Sequence, residues 1–261
     1  SLGAGGSFNG ENLVIEAGAA VGTQSASVVG PVVAQSVRVA GEAVSLAPAQ
    51  PGRLIQLLAS IHARLVNVRG GAGSDAVTVN LGGLDADLVV DGVGGDDQLQ
   101  LAGGLVERKF LLDGGELMLD GGRRVTIQRI ERQSILAATS ATFQVLRTLP
   151  GTTLTLAGGP GSSGNHFRLG SLIGGATGTL DALEGAIHLQ RGSEGDSIEL
   201  DDRGARNTLG RPLATGYFVS PGRVTPFRGG GLAARAGFAG VTYDAGIASL
   251  HLMGVQGLGS T

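Results

Sequence analysis

The sequence predicts an all-β protein built from many short strands, and its composition and turn spacing are the observations behind this fold class. Glycine accounts for 48 of 261 residues, far above the usual share of about 7%, while 42% of the residues are hydrophobic, enough for an ordered core. Between residues 67 and 128, short alternating apolar runs are each closed by a Gly-Gly or Asp-Gly turn. Most of these turns follow at steps of 10 to 12 residues, starting near Gly70, Gly82, Gly92, Gly103, Gly114 and Gly121.

The length of the turns distinguishes two folds that share this spacing. A step of about 11 residues fits either antiparallel hairpins in a β-sandwich or half of a coil of about 22 residues, in which each strand pairs in parallel with its copy one coil later. Tight hairpins need two-residue turns, whereas linkers such as GGLDAD and DGVGGDD are longer. The long corners favour a solenoid, with a β-sandwich as the alternative. Weaker copies of the rhythm at 154–170, 187–204 and 238–254 extend this prediction along the chain.

Two segments depart from the rhythm. Within residues 53–65 the apolar positions have helical spacing, which predicts a short amphipathic helix, whereas the repeat predicts extended chain over 61–68; both interpretations stay open. The apolar positions concerned are Leu54, Leu57, Leu58, Ile61 and Leu65. Residues 203–236 contain three prolines, a run of three glycines and a concentration of arginine, and we expect a loop excursion there.

The charge and cysteine content exclude several classes of partner and cofactor. With 19 basic and 22 acidic residues, the net charge is −3, so no basic field attracts phosphate backbones and we expect no nucleic-acid partner. The chain has no Cys, which removes disulfides and thiolate metal sites. Because no apolar run reaches the roughly 18 residues of a membrane span, we expect no membrane insertion of this segment.

Residue types that act in catalysis are present without a recognisable catalytic arrangement. The paired carboxylates are Asp85 with Asp87, Asp96 with Asp97, and Asp201 with Asp202. Adjacent residues of a strand point to opposite faces, so the last two pairs can cooperate only within turns. The histidines have no metal-binding spacing among them: His62, His166, His188 and His251. We therefore expect no enzyme, and a β-helical polysaccharide-degrading enzyme is the alternative, because such enzymes use clustered carboxylates.

Two turns of the repeat resemble the calcium-binding repeats of the repeats-in-toxin family. Residues 70–78, GGAGSDAVT, match the pattern GGxGxDxUx at every specified position, and residues 92–100, GVGGDDQLQ, match it except at Val93, where the pattern has glycine. The resemblance implies that Asp75 and Asp97 hold Ca²⁺.

The spacing of these two residues bears on the same prediction. Asp75 and Asp97 are 22 positions apart, so coils of that length would stack their carboxylates, and a hard cation would relieve the repulsion. Asp85, Asp87 and Asp96 could supply further oxygen ligands. The alternative is that Gly and Asp occupy these turns because exposed β-corners favour them.

The composition and the spacing of strands and turns along the chain resemble those of large secreted or surface-attached bacterial adhesins of the filamentous-haemagglutinin type. Residues 12–30 and 36–46 have that family's alternation of a short strand, an Ala-Gly turn and a corner. Residues 195–207 and 238–260 resemble segments found between the coils of very long bacterial surface proteins. The resemblance implies a right-handed parallel β-helix with irregular insertions, residues 1–261 being one segment excised from a larger repetitive protein.

The same resemblance implies a function outside the cell. We expect a structural or adhesive rod segment that is secreted or held on the bacterial surface. Its partners would be carbohydrate, such as matrix polysaccharide of a biofilm, or molecules of a host or neighbouring cell surface. A calcium-stiffened spacer is the alternative among the non-enzymatic functions.

Overall fold

The structure is a computed structural model, and it describes residues 8–17, 25–28, 32–41, 54–58, 60–104, 109–161, 163–170, 178–205, 216–226 and 237–254. The protein is all-β, as the sequence predicts, and its strands form two large mixed sheets, here called the first and the second sheet. The chain divides into two compact units. Unit 1 comprises Ser1–Glu107 and Gly115–Ala138, and unit 2 comprises Arg108–Gly114 and Thr139–Thr261.

The strands are short and follow one another closely along the chain. In chain order they are β1 (Phe8–Ala17), β2 (Ser25–Val28), β3 (Val32–Gly41), β4 (Leu54–Leu57), β5 (Ile61–Arg69), β6 (Ala76–Asn80), β7 (Leu84–Asp91), β8 (Gln98–Ala102), β9 (Lys109–Asp113), β10 (Glu116–Leu119), β11 (Arg124–Gln128), β12 (Arg132–Leu136), β13 (Thr142–Arg147), β14 (Thr153–Ala157), β15 (His166–Leu169), β16 (Ala186–Gln190), β17 (Ser197–Asp201), β18 (Tyr217–Ser220), β19 (Arg223–Pro226), β20 (Val241–Tyr243) and β21 (Ser249–Met253). Two single 3₁₀ turns, Leu81–Gly83 and Asp120–Gly122, link neighbouring strands.

Unit 1 is dominated by parallel pairs between strands that alternate along the chain. In the first sheet β1, β3, β5, β7 and β11 pair in parallel in that order, and β10 pairs antiparallel with β11. In the second sheet β2, β4, β6, β8 and β12 pair in parallel in that order. From β1 to β8 the chain therefore passes from one sheet to the other at every connection.

The predicted offset of 22 residues is found at three steps of unit 1. Leu54 pairs with Ala76, Ala76 pairs with Gln98, and Val66 pairs with Leu88. At other steps the offset is larger, as between Asp91 and Gln128. The repeat thus has a constant length only locally, because the connections between paired strands carry different numbers of residues.

The segment 53–65 is extended where the structure describes it, so the helical interpretation is wrong. Ile55 and Leu57 of β4 are buried, and both strands of this segment belong to parallel ladders. In β5 the register shifts between His62 and Leu65, so the buried positions change phase between Ile61 and Val66. This β-bulge breaks the strict alternation of apolar residues and imitates helical spacing in the sequence.

Unit 2 repeats the arrangement with its own strands. In the first sheet β9, β13, β15, β17 and β21 pair in parallel in that order. In the second sheet β14, β16 and β20 pair in parallel, and β19 and β18 then add antiparallel. Within the predicted excursion 203–236, residues 216–226 thus contain a β-hairpin that extends the second sheet.

The interior of unit 2 contains a stack of three phenylalanines on neighbouring strands. Phe110, Phe143 and Phe167 are in register on β9, β13 and β15, and all three are fully buried. Their ring centroids are 4.9 and 5.2 Å apart, with interplanar angles of 14° and 6°. In-register parallel strands therefore place like side chains on top of each other, which is the packing that the alternating apolar pattern predicts.

Candidate functional site

Asp75 and Asp97 lie side by side, as the 22-residue spacing predicts. Each directly precedes a strand of the second sheet, and their exposed fractions are 3% and 0%. Oδ1 of Asp97 accepts the backbone N–H of Asp75 at 2.7 Å, and Oε2 of Glu131 accepts the N–H of Asp97 at 2.7 Å. These three residues, called the acidic column, therefore bind the backbone of one turn to a side chain of the next.

Asp85 and Asp87 lie away from the acidic column, on β7 in the first sheet. Both side chains face solvent because they occupy the outward positions of the strand. Oδ2 of Asp85 is 3.4 Å from Nδ1 of His62, and Oδ1 of Asp87 accepts the backbone N–H of Arg124 at 3.0 Å. These two carboxylates are therefore separated from Asp75 and Asp97, which directly precede strands of the second sheet.

Asp96 neighbours Asp97 in the chain but points to solvent, where its Oδ2 is 3.1 Å from Nη2 of Arg132. Only two of the five predicted calcium ligands therefore converge. Among the residues that the structure describes, no three His, Asp or Glu side chains are grouped to hold a metal ion. Ca²⁺ takes about 6–8 oxygen ligands, and Oδ2 of Asp75 and Oδ1 of Asp97 already accept backbone N–H groups. The carboxylates as placed do not fit a calcium ion.

The second carboxylate oxygen of Asp97 has an unusual environment. Oδ2 is buried without a hydrogen-bond partner, and it lies against Gly92, where an added Cβ would be 2.1 Å away. Burial raises the pKa of Asp97 from 3.8 to about 6, opposed by the hydrogen bond from Asp75 and assisted by the charges of Asp75 and Glu131. The charged form of Asp97 is therefore costly in the folded protein.

Val93 explains why this oxygen lacks a partner. In the turn within residues 70–78, the N–H of Gly71 donates to Oδ2 of Asp75, four residues later. In the turn within residues 92–100, the corresponding N–H belongs to Val93, which has a φ of 75° and donates to Oδ1 of Asp91 at 3.1 Å. The single departure from the glycine pattern is thus the position at which the buried carboxylate loses its hydrogen bond.

Unit 2 contains the same arrangement with complete hydrogen bonding. Oδ1 of Asp196 accepts the N–H of Asn165 at 2.7 Å, and Oδ2 accepts the N–H groups of Gly192 and Ser193 at 2.8 and 3.2 Å. Burial raises the pKa of Asp196, but the hydrogen bonds from Ser193, Gly192 and Asn165 outweigh it and hold the pKa below its ordinary value. Equivalent carboxylates therefore shift in opposite directions according to their hydrogen bonds.

Replacing Val93 by glycine is expected to stabilise the protein by about 1 kcal/mol. A non-glycine residue with positive φ costs about 1–3 kcal/mol of stability, which the glycine variant regains. Glycine is more flexible in the unfolded chain, and this flexibility offsets about 0.5–1 kcal/mol of the regained stability. The measurement is the midpoint of urea denaturation. The matched control is Val89→Gly, in the strand β7 and also half-buried, which we expect to destabilise. A loss of stability in Val93→Gly would contradict the assignment of strain.

Asp201 and Asp202, the third predicted carboxylate pair, are both fully buried. Asp201 accepts from Nε and Nη2 of Arg203 at 2.9 and 2.8 Å; burial raises its pKa, but these bonds outweigh burial and lower it. Asp202 accepts the N–H of Leu180 at 3.1 Å and the hydroxyl of Tyr217. The two carboxylates therefore anchor neighbouring segments of unit 2.

The first sheet of unit 2 carries a polar groove on its outer face, with a volume of about 610 Å³. Volumes of about 300–1,000 Å³ are typical of ligand-binding pockets. Thr142 of β13 lines it, and β15, β17 and β21 contribute six further polar side chains, which are His166, Arg168, Ser197, Glu199, Ser249 and His251. We call this set the polar groove.

The side chains of the polar groove form two rows across the strands. One row consists of His166, Ser197 and Ser249, which are in register on the three strands. The other row consists of Arg168, Glu199 and His251, displaced by two residues and therefore on the same face. Paired strands are about 4.8 Å apart, so each row presents one polar group per strand at that spacing.

Two contacts order the polar groove. Nδ1 of His166 lies 2.7 Å from Oγ of Ser197, and Nη2 of Arg168 donates to Oε1 of Glu199 at 3.1 Å. The side chains of Arg168 and Glu199 are 40% and 32% exposed, so both reach solvent. The groove therefore offers solvent a fixed donor beside a fixed acceptor.

Sequence reasoning does not find the polar groove. The rows join strands that are 31 and 52 residues apart in the chain, as in Ser197 with His166 and Ser249 with Ser197, so no constant spacing marks them. The available signal is the pattern polar-apolar-polar-apolar, which the segments HFRL, SIEL and SLHL share.

Comparison of the chain with protein-family models, with curated proteins and with solved structures finds no significant match. The fold and the site define an all-β protein with an internal acidic column and an external polar groove. In the part of the chain that the structure describes, no helix has the length and hydropathy needed to cross a membrane.

Proposed function

We propose that this chain is a structural and adhesive rod segment of a large extracellular bacterial protein, coiled as a right-handed parallel β-helix with irregular insertions. The parallel pairing of alternate strands supports the coil, because a chain that returns to the same sheet after each connection stacks one winding on the next. The buried phenylalanine stack supports an interior that continues from strand to strand.

The polar groove is the observation that carries the adhesive function. It places charged and hydroxyl groups in ordered rows on the outside of a packed sheet. Fixed donors and acceptors on a rigid surface suit a partner rich in hydroxyl groups, such as matrix polysaccharide or a cell-surface glycan. A repeat protein that displays such grooves along its length can bind firmly through many weak contacts.

Engineered cysteines test the coil within unit 1. Ala76 and Gln98 are register partners and the first residues of β6 and β8, so Ala76→Cys with Gln98→Cys should form a disulfide, which needs Cα atoms about 4.4–6.8 Å apart. The control pairs Ala76→Cys with Ala102→Cys at the other end of β8, a position that only antiparallel pairing would bring opposite Ala76. The chain has no other Cys. Oxidation of the control pair in preference to the first would contradict parallel pairing and favour a sandwich.

A glycan array combined with a reducing-end release assay tests the adhesive function. We expect retention of the protein on one or more polysaccharides without release of new reducing ends. Catalytic turnover would instead favour the alternative of a polysaccharide-degrading enzyme, for which the contact between His166 and Ser197 is the relevant observation.

Calcium remains a prediction of the sequence motif, and thermal melts test it. A ligand that binds only the folded protein must raise its melting temperature. Because the carboxylates as placed do not fit the ion, we expect no difference between millimolar Ca²⁺ and a chelator. A rise with Ca²⁺ that Asp97→Asn abolishes would restore the calcium-stiffened spacer.

A further inference from the structure

We propose that the polar groove binds a neutral polysaccharide, and that Arg168 and Glu199 form hydrogen bonds with two adjacent hydroxyl groups of one sugar. This inference rests on the proposed adhesive function and names its ligand class. The side chains concerned meet on neighbouring strands, with Nη2 of Arg168 3.1 Å from Oε1 of Glu199.

The chemistry of the pair matches that of a vicinal diol. A guanidinium group only donates hydrogen bonds, and a carboxylate only accepts them. Of two adjacent sugar hydroxyls, one can accept from Arg168 while the other donates to Glu199. Both hydrogen bonds are charge-assisted and hence stronger than neutral ones. The existing ion pair holds both side chains in place before the sugar arrives, which lowers the entropy lost on binding.

The remaining groups extend the contact along the glycan. His251 lies next to Glu199 in its row, and His166 and Ser197 form the parallel row. The strand spacing of about 4.8 Å is comparable to the length of one sugar unit. A glycan lying across the strands therefore meets a new set of hydrogen-bonding groups with each successive sugar.

The charge balance favours a neutral ligand over an acidic one. Within the polar groove the positive charge of Arg168 is balanced by Glu199, and the whole chain carries −3 with the histidines counted as neutral. A polyanion therefore finds no attractive field. The chain has no Trp, and its two Tyr residues, Tyr217 and Tyr243, lie on strands of the second sheet. Without an aromatic platform we expect a single groove to bind weakly, so firm adhesion would need several such sites.

The test measures the affinity of the full chain for soluble neutral polysaccharides built from glucose, mannose or galactose, and for an acidic uronate polysaccharide, by titration calorimetry. We expect Arg168→Gln and Glu199→Gln each to weaken binding of the neutral glycan at least tenfold. Arg168→Lys should also weaken it, because lysine lacks the planar fork. The matched control is Arg132→Gln, which removes the exposed ion pair with Asp96 in unit 1 and should leave binding unchanged.

The outcomes separate this inference from the function on which it rests. Thermal melts establish whether the variants fold. If the glutamine variants do not fold, Arg168→Lys, which keeps the positive charge, still tests the inference. Tighter binding of the acidic glycan, or neutral binding that all three groove variants leave intact, overturns the inference while adhesion stands. If the chain retains no glycan and does not adhere to cells, both the inference and the proposed function are overturned.

Discussion

Replacing Phe143 by alanine is expected to lower the free energy of unfolding by about 3–5 kcal/mol, as is usual for a large buried aromatic residue. Phe143 is the middle ring of the stack and is 0% exposed, with Phe110 and Phe167 on either side. Its loss removes two ring contacts and leaves a cavity that in-register strands cannot close, because each strand is held by ladder hydrogen bonds on both sides. Chemical denaturation of the full chain measures the effect.

Two further variants separate the parts of this effect. Phe143→Leu keeps most of the apolar volume but loses the stacking, and we expect a smaller loss of about 1–2 kcal/mol. Phe218→Ala removes a phenylalanine of the same unit that is 59% exposed, and its effect should stay within about 0.5 kcal/mol. Equal effects of Phe143→Ala and Phe218→Ala would contradict the buried stack.

The fold class could be predicted from the sequence because its signals are local. Alternation of apolar residues and glycine-rich turns depend on neighbouring residues alone, and both are present in β6 and β8. The contact between Asp75 and Asp97 was also predictable, since two successive steps of 22 residues keep equivalent positions in register. Where the connections are of equal length, spacing in the chain becomes proximity in space.

The polar groove could not be predicted because its connections differ in length. His166, Ser197 and Ser249 share a row only through insertions of unequal size, and the sequence does not state which strand pairs with which. The bulge in β5 is a comparable case, since the register shift after His62 is decided by both neighbouring strands. Non-local pairing overrides the local pattern at such places.

The pKa shift of Asp97 could not be predicted from the sequence either. Asp97 and Asp196 both follow a glycine-rich turn, yet their pKa values shift in opposite directions. Ser193, Gly192 and Asn165 all donate hydrogen bonds to Asp196, whereas Asp97 lies beside the charges of Asp75 and Glu131, and the N–H of Val93 points to Asp91 instead. Only the folded turn shows where that N–H points, although the replacement of glycine by valine marks the position.

Replacing Asp97 by asparagine is expected to stabilise the protein above pH 6 and to flatten its pH dependence. The pKa of Asp97 rises from 3.8 in its ordinary state to about 6 in the folded protein. Between these values the folded protein binds more protons than the unfolded chain, so stability falls as the pH rises through this window. Above it the full penalty applies, roughly 3 kcal/mol, since each pKa unit is about 1.4 kcal/mol.

Asparagine removes this penalty while it keeps the hydrogen bond of the acidic column. Its Oδ1 can still accept the N–H of Asp75, and its Nδ2 replaces the oxygen that lacks a partner. Unit 2 has an asparagine in a comparable position, where Oδ1 of Asn165 accepts the N–H of Ala141 and its Nδ2 donates to the carbonyl of Gly159, both at 2.9 Å. We therefore expect Asp97→Asn to gain about 1–3 kcal/mol at pH 7 and little at pH 4, where Asp97 is protonated.

The difference between variant and wild type, measured by urea denaturation from pH 4 to pH 7, isolates Asp97 from the other carboxylates. Asp196, whose pKa is lowered, has the opposite dependence: its stabilisation is lost as the pH falls through its folded pKa. Asp96→Asn is the matched control, because Asp96 is exposed and paired with Arg132, and we expect an effect below about 0.5 kcal/mol. A difference between Asp97→Asn and wild type that stays constant across this range would mean that Asp97 does not titrate there. The unpartnered oxygen would then carry no charge penalty.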